Sequence, residues 1–137
     1  MAAAYPLCMS IWRHSHHPRA AITLLRITLA VLMLLHGWAK IIHGVGSIEG
    51  MLTQLGLPGF LAYGVFVGEV IAPLLMLLGL YVVPAAWIMA INMLVAIALV
   101  HTSHLLQLSK SGGWALELQA FYLVSAIVVA LGYSRNK

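Results

Sequence analysis

Six ionisable side chains, Arg26, His36, Lys40, Glu69, His101 and Glu117, stand inside or at the ends of long apolar runs. In hydrocarbon an unpaired charge costs several kcal/mol, so such groups need one another or a ligand. His36 and Lys40 are four positions apart and His43 lies seven beyond His36, which puts all three on one helical face. Glu69 stands nine positions past the start of its apolar run, near the middle of a membrane. Pro73, four residues on, cannot donate to the carbonyl of residue 69, so that carbonyl is freed beside the carboxyl. An imidazole that titrates near neutral pH beside a carboxyl and an ammonium is equipment for moving protons. His36, Lys40, Glu69 and Glu117 are therefore the candidate catalytic residues.

The elements that must position these groups follow from composition. Of 137 residues 63% are hydrophobic and only 7% charged, too little polar surface to cover a water-soluble fold. Four apolar runs, 21–43, 60–81, 84–103 and 114–133, are each about twenty residues long, the length a helix needs to cross a ~30 Å hydrocarbon layer. They are continuous and rich in Leu and Ala rather than alternating, which excludes a β-barrel. The expected fold is an all-α integral membrane protein, a four-helix transmembrane bundle. Residues 1–20 form a basic tail that contains histidines, and 21–137 form the membrane domain. The net charge of +4 reflects Arg13, Arg19, Arg26, Arg135 and Lys137 at the two chain ends and does not suggest nucleic acid. An even number of crossings puts both termini on one side, and the Lys/Arg excess predicts that side to be cytoplasmic: N-in, C-in.

The remaining features divide between site and scaffold. Cys8 is the only cysteine, so no internal disulfide or dithiol redox pair can form. No cleavable signal peptide is evident, and Met9 offers an alternative start. His14, His16 and His17 could share a metal ion or simply belong to a flexible tail. Trp38 suits an interfacial anchor, and Arg26 could snorkel to the near surface. Within the glycine-rich stretch 44–59, Ile48, Met51, Leu52 and Leu55 make one apolar stripe. That stripe predicts a short helix lying on the membrane, as a connector or as a lid over the bundle mouth. Gly64, Gly68 and Ala72 form a small-residue stripe that allows close helix approach. Asn92 could bond Glu69 or another helix. Asn92 and His101 are nine positions apart and point in opposite directions on an undistorted helix. Glu117, near the outer boundary, could pair with Lys40 or His101.

The pattern His36-Gly37-Trp38-x-Lys40, the stretch Leu55-Gly56-Leu57-Pro58, Gly68-Glu69, Leu77-Leu78-Gly79-Leu80 and a Gly112-Gly113-Trp114 lead-in to the last helix resembles the DoxX family over residues 22–137. The family often carries an acidic residue directly after the Gly-Gly-Trp-like lead-in, whereas here Ala115 follows and the carboxylate comes at Glu117. The resemblance implies a multi-pass protein of four helices in a bacterial inner membrane. It also implies association with membrane redox or detoxification systems, the family being named for similarity to a subunit of a thiosulfate:quinone oxidoreductase.

Three functions compete. The first is a quinone-linked oxidoreductase subunit handling a quinone or a small sulfur species. There His36, Trp38, Asn92, His101 and Trp114 would contact the cofactor, and electrons would come from a redox partner protein. The second is a metal or haem site of His36, His43, His101, His104 and Glu117, although no motif such as HExxH is present. The third is a membrane scaffold or assembly factor, alone or as a homo-oligomer, whose buried polar groups only fix helix packing.

Overall fold

A computed structural model describes residues 17–100 and 112–134, and these are almost wholly helical. Helix α1 spans Pro18–His43 and α2 Gly46–Gln54. A composite crossing follows: a 3-10 turn Gly59–Gly64, a π turn Val67–Ile71 and α3, Ala72–Leu78. Helices α4, Val82–Val100, and α5, Glu117–Ser134, complete the bundle. Among the described residues three helices are long and apolar enough to cross a membrane, Pro18–His43, Gly59–Leu78 and Val82–Leu99; the apolar part of α5, Glu117–Tyr133, is shorter. The 18 residues of α5 still cover about 27 Å.

The boundaries correct several expectations. Helix α1 begins at Pro18, inside the expected tail, because proline in the first turn loses no helical hydrogen bond. The second crossing is not one continuous α-helix. The Ala72 amide bonds back five residues to the Val67 carbonyl, a widened turn directly before Pro73. The crossing ends at Gly79, whose φ of 75° gives a left-handed cap, and α4 already begins at Val82 ahead of Pro84.

Large apolar side chains such as Leu24, Leu35, Ile42, Phe60, Leu78 and Phe121 face outward on every crossing, as a lipid-facing surface requires. Small ones face inward. Ala30, Ala72, Ala85, Ala86, Ala126 and Ala130 are all buried, and they let the helices close where the hydrophobic effect supplies no drive. Two cores result among the described residues. The larger packs those alanines with Met33, Met76, Met89 and Val129 around α1, α3, α4 and α5. The smaller joins Val45, Leu52 and Ala62 with Ile48, Phe66 and Leu99 beneath α2.

Candidate functional site

Between the two cores lies a cavity of about 810 Å³, and its polar wall holds His36, Lys40, Glu69, Asn92, Gln119 and Tyr122. Its other walls are apolar, from Met33 and Met93 at one end to Ile48, Met51 and Leu52 of α2 at the other. Helix α2 is thus the roof of the cavity as well as a connector; of its apolar stripe only Leu55 stays exposed.

Backbone exceptions place the central carboxylate. Glu69 belongs to the π turn and is only 3% exposed. Such turns mark sites where a register shift re-aims a side chain. Gly37 of α1 packs on the Glu69 carbonyl, the group that Pro73 leaves without its usual donor. A methyl group at Gly37 would overlap that carbonyl and come within 2.7 Å of the Val70 side chain. The contact has a direct consequence: His36 and Lys40, flanking Gly37 on α1, are held over the π turn. Gly68 plays the matching part toward α4, since any side chain there would overlap Asn92.

Two polar pairs follow. Lys40 Nζ donates to Glu69 Oε2 at 2.5 Å, an ion pair with the carboxylate side chain 4% and the lysine side chain 28% exposed. Asn92 Nδ2 approaches the other carboxylate oxygen at 3.5 Å, a long and weak hydrogen bond. Beside this set, the Tyr122 hydroxyl lies 3.3 Å from His36 Nε2, with the rings edge to face at 5.5 Å. The wall therefore carries an ammonium, a carboxylate, an imidazole, a phenol and an amide. Every one can donate or accept a proton or hydrogen bond without leaving its helix.

Of the sequence candidates, His36, Lys40, Glu69 and Asn92 converge on the cavity. Trp38, Trp114 and Glu117 do not line it. Trp38 is 61% exposed on the opposite side of α1 from His36, two residues away and hence roughly 160° around the axis. Trp114 precedes the first turn of α5. Glu117 opens α5 with its carboxylate folded back against Gly113, where the helix dipole favours negative charge. Lys40 pairs with Glu69 rather than with Glu117. His101, His104, His14 and His16 lie outside the described residues. Among the described residues no three His, Cys, Asp or Glu side chains group as metal ligands. Arg26 does not simply snorkel: its guanidinium lies 5.7 Å from the centre of the Tyr133 ring and against Gly79, at the carbonyl end of α3 where a cation is favoured. Tyr122 escaped the sequence reading; an aromatic five positions into a uniformly apolar helix carries no signal of its partner 86 residues earlier.

With this geometry in place, comparison with known proteins gives the family. The DoxX family profile matches residues 21–102, the segment that contributes His36, Gly37, Lys40, Glu69 and Asn92. The chain belongs to the DoxX family. An uncharacterized protein of Haemophilus influenzae (strain ATCC 51907 / DSM 11121 / KW20 / Rd) is 34% identical over 79 residues, 58% of each chain. The aligned part of this DoxX protein thus spans little more than half the length of that relative. No solved structure matches the chain.

Proposed function

We propose that this DoxX membrane protein binds a quinone headgroup in the cavity and serves as a subunit of a quinone-linked redox system. The observation that carries the reading is the Lys40–Glu69 pair at 2.5 Å, its carboxylate buried, on the polar wall of a largely apolar chamber beside His36 and Tyr122. The chamber fits the group: its volume lies in the range of small-molecule pockets, with apolar walls and a few polar groups on one side. A bound quinone would supply the chemistry of accepting two electrons and two protons. The electrons would come from a carrier on a partner protein. Lys40 would donate a hydrogen bond to one quinone oxygen, with Glu69 holding the ammonium in place and restoring its proton. His36 and Tyr122 would form the second donor–acceptor pair at the other quinone oxygen. The excess of arginine and lysine at both chain ends would set the termini in the cytoplasm of a bacterial inner membrane.

The purified protein tests this directly. Quinone should co-purify from membranes containing it, and Glu69→Gln or His36→Ala should lose it while retaining helical content and melting temperature. Variants that keep both the quinone and cellular activity would leave the scaffold role standing instead.

A further inference from the structure

The cavity, roofed by α2, is lined on one side by exposed apolar residues, and that side has a definite frame. The composite crossing and α4 touch where Gly68 receives Asn92. From there they diverge. The 3-10 turn Gly59–Gly64 packs on α2 and on the following π turn and, among the described elements, not on α4. A methyl group at Gly64 would meet nothing within 4 Å among the described residues. Farther along, Leu99 of α4 rejoins the small core under α2. The result is a window closed at both ends. Leu61 and Val67 stand on one side of it, and Val95, with Ile91 next to the closing Asn92, on the other; all four line the cavity and are exposed. Val95 lies five residues, about 7–8 Å, inside the end of α4 at Val100. The window therefore faces the acyl chains rather than the membrane surface.

We infer that this window passes the hydrocarbon chain of the ligand whose headgroup meets Lys40 and Glu69. The ligand class is a membrane-dissolved amphiphile with one apolar chain, entering laterally, and not a small water-soluble sulfur species. The inference rests on the headgroup reading above. It follows from continuity: one cavity joins an ion pair with a buried carboxylate to apolar side chains on the exposed, lipid-facing side. A wholly polar ligand would leave that apolar half unfilled. A wholly apolar one would leave the ion pair without any partner beyond Asn92.

The test uses the full-length protein in lipid nanodiscs and a quinone with a photoreactive diazirine at the end of a ten-carbon chain. Labelled residues are mapped by mass spectrometry, with excess chainless benzoquinone derivative as competitor and quenching of tryptophan fluorescence as an independent measure of headgroup binding. The expected result is labelling of 61–67 and 91–95 several-fold above that of exposed Leu35 and Leu131, abolished by the competitor. Gly64→Phe, placed in open space, should remove this labelling and leave quenching by the chainless quinone unchanged. Val124→Phe, on an exposed face of α5 off the cavity, should change neither. Labelling spread evenly over lipid-facing residues, with saturable quenching intact, overturns the window and leaves the headgroup site standing. Absence of saturable quenching, or window labelling that no quinone competes, overturns both.

Discussion

The two halves of this bundle are built from similar residues and behave differently. In one, around Met33, Met76, Met89 and the buried alanines, regular helices close on one another around mostly apolar side chains. In the other, under α2, the backbone leaves α geometry twice in thirteen residues, through the 3-10 turn Gly59–Gly64 and the π turn Val67–Ile71. There the helices part, and the cavity with its ion pair fills the gap. The difference teaches where a membrane bundle can hold charge. Regular packing of small residues leaves no room for it, whereas an interrupted helix offers both the space and the freed backbone.

Breaking the ion pair on one side should have the largest effect. Lys40→Met leaves Glu69 buried without its cation and should cost about 3–5 kcal/mol, whereas Lys40→Met combined with Glu69→Gln should recover most of that loss. Thermal unfolding in detergent measures both; equal losses in the single and double variants would show that the pairing is not what matters. A comparison of methionines comes next. Met89→Ala, in the closed half, should cost about 2–5 kcal/mol. Met51→Ala only widens an existing cavity and should cost well under half as much in the same assay. Glycines in the open half then separate contact from space. Gly37→Ala drives a methyl group into the Glu69 carbonyl and should destabilise by about 1–3 kcal/mol. Gly64→Ala meets open space and should be neutral or slightly stabilising, by less than about 1 kcal/mol. The smallest effect is expected from Tyr122→Phe, which deletes one neutral hydrogen bond worth about 1 kcal/mol. Its clearer signature is a changed His36 ring resonance in nitrogen NMR.

Much of this arrangement is legible in the residues themselves. The apolar runs specify the crossings. Pro73 marks the disturbed carbonyl of residue 69, and the spacing of His36 and Lys40 puts them on one face. Depth along an axis is readable in this way, but direction around it is not when a helix is apolar on all sides. Glu117 has a depth suited to Lys40, yet it is five positions from Tyr122 and so about 140° around α5 from the cavity. Trp38 fails for the same reason beside His36. The π turn is another limit. It shifts the register of the second crossing between Phe66 and Ala72, so an ideal helix drawn from sequence aims Glu69 wrongly by a fraction of a turn. Gly68 looks like part of a generic small-residue stripe, and Gly37 carries no contact signal of its own, until their partners, an asparagine and a carbonyl, are seen.

The account stands on Glu69 being part of the ligand site and not merely a structural counter-ion. Infrared difference spectroscopy on the protein in nanodiscs, before and after adding a chainless quinone, tests this most directly. The expected result is a perturbed carboxyl or carboxylate band that vanishes in Glu69→Gln and is retained in Glu117→Gln. Saturable quinone binding that leaves the Glu69 band unmoved would contradict it.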